Sequence, residues 1–101
     1  MVDRSVGPAG EWVEHDGSCA TIGYTQQALL PLGEIVWVGL PKIGAQLNKG
    51  DVAVVLESAK AATDCEAPVS GTVIEINHEV QNCPELLQKD PEQTWVYRVQ
   101  V

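Results

Sequence analysis

The chain has no phenylalanine, little basic charge, few cysteines and no long apolar run. Without Phe, the aromatics are three Trp and two Tyr, and the hydrophobic fraction of 45% rests mainly on Val, Leu, Ile and Ala. Six Lys and Arg stand against 14 Asp and Glu, a formal net charge of −8. With no Lys/Arg cluster to neutralise phosphates, nucleic-acid binding is excluded. An acidic surface steers a small domain toward basic clefts on partner proteins instead. The odd number of cysteines (Cys19, Cys65, Cys83) and the lack of a Cys-x-x-Cys pair argue against a disulfide scaffold and a zinc site, and fit a reducing compartment. His15 and His78 are far apart, with no ligand at metal spacing, so surface roles are expected. No stretch approaches bilayer length, and Met1 to Gly10 has no apolar run of the kind a secretory signal needs. No Ser/His/Asp grouping, phosphate loop or acid/base pair stands out, which points away from a free-standing enzyme.

Val and Ile enrichment, with 9 Gly and 6 Pro as punctuation, suits short strands and frequent turns. Residues 1–10, with Asp3, Arg4, Gly7, Pro8 and Gly10, read as a flexible lead, and residues 11–101 as one domain. Glu11 to His15 and Ser18 to Tyr24 flank an Asp16-Gly17 hairpin turn. Thr25 is placed to cap a helical turn over Gln26 to Leu30, which Pro31 and Gly33 end. Glu34 to Leu40 and Ala45 to Leu47 follow as strands. Val52 to Leu56 is a continuous apolar run, expected to be buried on both faces. Ala62 to Glu66 and Thr72 to Asn77 are further strands, Pro84 to Gln88 is a helical turn, and Trp95 to Val101 is a closing strand. In that last strand Trp95, Tyr97 and Val99 alternate with Val96, Arg98 and Gln100. The three Trp are expected in the core. The sum is an all-β architecture: a β-sandwich or flattened barrel of short strands with one or two helical turns.

The segment Leu56 to Asp64 (LESAKAATD) runs from an apolar strand into small residues and back. Lys60 is its one long cationic side chain. A reversal there projects Lys60 from the tip, with Ala59 and Ala61 leaving it unobstructed and Glu57 and Asp64 on either side. Taken alone, a turn lysine is usually a solvated residue or an edge gatekeeper. A lysine that is to be acylated needs the same setting: exposed, reachable and on a rigid base. Cys65, five positions on, is expected to pack as a small apolar residue.

LESAKAATDCEAPVSGTVIEIN, residues 56–77, resembles the lipoylation region of the glycine cleavage system H protein family. The matching positions are Glu57, Ser58, Lys60, Ala61, Pro68, Ser70, Gly71 and Asn77. Ala-Lys-Ala after Glu-Ser differs from biotin carriers, which flank their lysine with Met. It also differs from the lipoyl domains of 2-oxoacid dehydrogenases, which place Asp before it. Glu11-Trp12-Val13, Gly33-Glu34-Ile35-Val36, Leu40-Pro41, Gly44, Asn82-x-Pro84-Glu85-Leu86 and Trp95 extend the likeness over residues 11–101. Gly10 stands where the family has His, and family members continue past the last strand into a helix.

The resemblance implies a lipoyl/biotinyl-carrier-like fold with lipoate joined to Lys60 through an amide. Glu57, Ser58, Ala59, Ala61 and Asp64 would be the flanking residues read by a lipoate ligase or lipoyltransferase. It further implies a non-catalytic, monomeric carrier that shuttles the aminomethyl group from a pyridoxal-phosphate glycine decarboxylase to a tetrahydrofolate-dependent aminomethyltransferase. A flavin-dependent dihydrolipoamide dehydrogenase would reoxidise the arm. The location implied is cytoplasmic, or the mitochondrial matrix in a eukaryote. The departures at the ends leave a second expectation, an H-like lipoate carrier outside glycine cleavage (lipoyl relay, sulfur metabolism or redox signalling). A third is an unmodified β-sandwich interaction module.

Overall fold

The hairpin signalled by Asp16-Gly17 forms with its turn one residue later, on Gly17-Ser18, and Asp16 pairs with Cys19. In the computed structural model, which describes residues 3–101, Gly17 adopts φ 64°, a left-handed conformation that costs glycine little. Strands β1 (Asp3–Val6), β2 (Glu11–Asp16) and β3 (Cys19–Tyr24) then pair antiparallel in sequence. Thr25 caps the next element as expected: its hydroxyl accepts from the Ala28 amide at 3.3 Å and starts α1 (Gln26–Leu29). A 3-10 turn over Leu30–Leu32 contains Pro31 and ends at Gly33, with φ 77°. The remaining elements are β4 (Ile35–Gly39), β5 (Gln46–Leu47), β6 (Val52–Ser58), β7 (Ala62–Glu66), β8 (Gly71–Ile76), α2 (His78–Asn82), α3 (Glu85–Lys89) and β9 (Trp95–Gln100).

Among the described residues the strands form two sheets, of order β1-β2-β3-β9-β8-β5 and β4-β6-β7. Face to face they make the sandwich expected from the sequence. Ile22, Val73, Tyr97 and Val99 of the first sheet share one buried cluster with Val38, Val54 and Leu56 of the second. Val80 of α2 and Leu87 of α3 join the same cluster, both fully buried. Burying an aliphatic side chain of this size contributes roughly 1.5–3 kcal/mol, so each helical turn is held by its one inward residue rather than by its length.

Four expectations are corrected. Residues 3–6 of the stretch read as a flexible lead form β1, because the Arg4 guanidinium pairs with Glu14 at 2.9 Å and lies 3.9 Å from the Trp12 ring. Val96 is buried although alternation would turn it outward. β9 pairs Tyr97 with Ile22 but Trp95 with Gly23, so Val96 occupies a bulge and joins the core. Val52 is 52% exposed while Ala53 and Val54 are both buried, because the β6–β7 register shifts between Val52 and Val54 and turns Val52 outward. The tryptophans divide: Trp12 is buried, Trp95 half-buried and Trp37 exposed.

α2 has no counterpart in the sequence reading. Asn77 ends β8 and also caps α2, its side chain accepting from the Glu79 amide at 3.2 Å and donating to Trp95 O at 2.7 Å. Gln88 of α3 binds the start of β4 at two points. Its Nε2 donates to Gly33 O at 2.6 Å and its Oε1 accepts from Ile35 N at 2.9 Å.

Trp12 lies against Gly23, its cross-strand partner, and donates from Nε1 to Pro91 O at 3.1 Å. A Cβ on Gly23 would come within 2.3 Å of the indole. Gly23→Ala should therefore lower unfolding stability by about 1–3 kcal/mol, read from the denaturant midpoint. An unchanged midpoint would mean that the indole has room to move.

Candidate functional site

The β6–β7 hairpin is anchored by its inner face. Val54 and Leu56 are 0% and 2% exposed, and Thr63 and Cys65 pair with them across the hairpin. The outer face carries Val55 and Glu57 on β6, opposite Asp64 and Ala62 on β7. Beyond the paired residues the chain reverses over Ser58 to Ala61.

Ser58 organises that reversal. Its amide donates to Ala61 O at 2.9 Å. Its hydroxyl accepts from the amides of Lys60 at 3.2 Å and Ala61 at 3.3 Å, and donates to Ala61 O at 3.3 Å. A single small side chain thus meets the donors that a tight turn would otherwise leave to water. Among the described residues no non-glycine has positive φ, so Ala59 and Lys60 sit at the apex without backbone strain. Ala59, Lys60 and Ala61 are all exposed, and Lys60 takes part in no ion pair among the described residues. Glu57 and Asp64 are brought onto one face, one on each strand. Ser58 lies inside the turn rather than on its surface.

Beside the hairpin, a cavity of about 260 Å³ lies between β7, the ends of β2 and β3, and α1. Glu11, Tyr24, Leu29, Leu32, Leu56 and Cys65 are in its wall. Glu11 and Tyr24 were not singled out in the sequence. They stand opposite each other because the turn falls on Gly17-Ser18; a turn on Asp16-Gly17 would set Glu11 opposite Ile22 instead. Glu11 is 7% exposed, and among the described residues no basic side chain lies in the cavity wall. Gly10, where the family resemblance expects His, has φ 88° and packs against Ala28, with its carbonyl accepting from Thr25 Oγ1 at 2.8 Å.

Cys65 packs at the edge of the core, as expected, and lines this cavity. Burial pushes its thiol from 9.0 up to about 11, and the neighbouring Tyr24 hydroxyl offsets only part of this. The Tyr24 hydroxyl is itself buried without a well-formed hydrogen bond, and burial followed by the nearby thiol raises it well above 10.0. The thiol therefore stays protonated at neutral pH, which is the state of a packing group rather than a nucleophile. Because the folded value lies above the unfolded one, this proton stabilises the fold below about pH 9 and the contribution is lost as pH rises toward 11. At pH 8, iodoacetamide should alkylate Cys65 about a hundredfold more slowly than exposed Cys83, followed by peptide mass mapping. Equal rates at the two thiols would contradict the buried, protonated assignment.

The chain resembles proteins of known family throughout this architecture. The family model described as glycine cleavage H-protein matches residues 6–101. A glycine cleavage system H protein of Thermotoga maritima is 41% identical over 92 residues, covering 90% of this chain and 74% of the relative. One from Beutenbergia cavernae is 44% identical over 100 residues, covering 98% of this chain and 81% of the relative. The crystal structure of a glycine cleavage system H protein from Mycobacterium marinum superposes with a TM-score of 0.89 at 32% identity, covering 97% of this chain and 83% of that one. Fold, hairpin and sequence agree, and the chain belongs to the glycine cleavage H-protein family.

Proposed function

We propose that this chain is the lipoyl carrier of the glycine cleavage system and that Lys60 is its attachment point. The observation that carries the reading is an exposed lysine at the apex of a core-anchored hairpin, in a chain matched to the H-protein family over residues 6–101. The residues present fit lipoate. Acylating Lys60 Nζ breaks no ion pair among the described residues, and the flanking methyl groups of Ala59 and Ala61 leave an acylating enzyme room to approach. When attached, the dithiolane supplies reversible disulfide chemistry and a sulfur acceptor for the aminomethyl group.

The chain's own residues supply placement. Ser58 fixes the turn amides, so the arm starts from a defined post and its encounters become partly intramolecular. Ser58, Ala59 and Ala61 form the apex, while Glu57 and Asp64 give a lipoate ligase or lipoyltransferase an acidic face to read. The cavity beside β7 has apolar walls and buried Glu11, a combination suited to an alkyl chain that ends in an ammonium group.

The partners in this reading are glycine decarboxylase, the aminomethyltransferase, dihydrolipoamide dehydrogenase and the lipoate-attaching enzyme. The chain itself is a non-catalytic monomer acting in the cytoplasm or mitochondrial matrix, with residues 11–101 as the carrier domain and β1 added to its edge. Among the described residues no helix is long and apolar enough to cross a membrane. The relatives carry glycine cleavage names, which favours this role over a lipoate carrier for other pathways.

Co-expression with a lipoate ligase and lipoate should add one lipoyl group by intact mass, and Lys60→Arg should abolish the addition. The carrier reading fails if the wild type stays unmodified where a control H protein is lipoylated. Ser58→Ala should lower the melting temperature by about 4–8 °C and kcat/KM for lipoylation about tenfold, as expected for ~1–1.5 kcal/mol of lost turn hydrogen bonding. Lipoylated wild type mixed with glycine decarboxylase should exchange labelled bicarbonate into the glycine carboxyl.

A further inference from the structure

Each of the three tryptophans stands beside a glutamate, and two of them are completed by an arginine. Arg4 lies 3.9 Å from the Trp12 ring centre and pairs with Glu14 at 2.9 Å. Arg98 lies 4.3 Å from the Trp95 ring centre and pairs with Glu75 at 2.7 Å. In both, a guanidinium sits on an indole while its donors go to a carboxylate, an arrangement that uses the planar cation twice. Trp37 has the first and last members alone. It is paired in register with Glu57, is 47% exposed, and has no cation over its ring among the described residues.

The surroundings fit a cation supplied from outside. Trp37, Glu57 and Asp64 lie on the outer face of the β4-β6-β7 sheet, and Glu66 extends the same row along β7. The three acids are exposed, and these strands contain no Lys or Arg. The distal ring of Trp37 sits over Gly39, where an added Cβ would come within 2.6 Å of it. The indole is therefore held against bare backbone, and a partner does not have to immobilise it on binding. This face is also the outside of the hairpin that bears Lys60, so an enzyme that takes in the tip meets it.

We propose that the outer sheet face is the docking surface for glycine decarboxylase, and that an arginine of that enzyme completes the Trp37–Glu57 pair. The inference rests on the carrier reading above and names the contact that reading leaves open. The guanidinium stacks on Trp37 and its donors go to Glu57, while Asp64 and Glu66 supply the longer-range attraction.

The test uses the lipoylated full chain and glycine decarboxylase in the bicarbonate exchange assay, with carrier concentration varied. Trp37→Ala should raise KM for the carrier at least about tenfold and leave kcat unchanged, the size expected when a central interface tryptophan is removed. Trp37→Leu, which keeps apolar area but has no π face, should behave like Trp37→Ala, and Trp37→Phe should restore most of the affinity. A wild-type KM in a folded Trp37→Ala overturns the docking face, and a wild-type KM in Trp37→Leu overturns the arginine contact. If lipoylated wild type supports no exchange at all, the carrier reading fails and this inference with it. A second measurement needs no variant to be active. In 5-fluorotryptophan-labelled carrier, the 19F resonance assigned to Trp37 through Trp37→Leu should shift or broaden on adding unlabelled decarboxylase, and that of Trp12 should not. An unperturbed Trp37 resonance under conditions that support exchange overturns the proposal.

Discussion

Burial of Val54 and Leu56 beneath the larger sheet is the constraint on which the site depends. A lone hairpin ribbon is marginal in water, and β6–β7, which carries the lysine at its end, has only β4 beside it as a further strand. Seating one face in the core turns that hairpin into a post, so Lys60 can be exposed while the backbone beneath it stays fixed. The order of construction follows from this. The core holds the strands, the strands hold Ser58, and the Ser58 hydroxyl holds the turn amides. The arm can be mobile because nothing under it needs to be.

The parts of this arrangement that were legible in the sequence are those with local causes. The Thr25 cap, the Pro31-Gly33 stop and the lysine turn each have a residue-level signal and appear in place, and the hairpin signalled by Asp16-Gly17 appears with its turn one residue later, on Gly17-Ser18. The bulge at Val96 has no local signal, because it arises from a register set by β3 and β8 together. The short α2 went unread for a related reason: Asn77 ends one element and caps the next, and its second role depends on Trp95 being alongside. Trp37 could not be told from Trp12 by periodicity, since what separates them is whether a second layer covers their face of the sheet. Glu11 faces Tyr24 only because the turn sits one residue later than the Asp16-Gly17 signal, and only the folded chain puts a cavity between them and β7.

The small stock of basic residues is also spent in a patterned way. Arg4 and Arg98 are committed to internal pairs with glutamates and indoles, whereas Lys42, Lys49 and Lys89 remain in solvent. Acylation at Lys60 would remove one more positive charge, so the loaded carrier is more acidic than the unloaded one. Its long-range attraction to a basic partner rises accordingly and is screened by salt within about 10 Å at 0.1 M. Attraction of that kind speeds encounter without holding the complex, which suits a protein that must leave one enzyme for the next.

The bidentate grip of Gln88 on Gly33 and Ile35 bears on how such a protein avoids pairing with copies of itself. β4 is an edge strand, and an open edge is a template for pairing with another copy of the same chain. The Gln88 amide offers β4 a carbonyl and an N–H in the way a neighbouring strand would, and so occupies the first rungs of that edge. One side chain from a helix of a single turn thereby closes off part of a route to fibrous self-association. It does so close to the hairpin, where a bulkier cover would also block the enzymes that must reach the lysine.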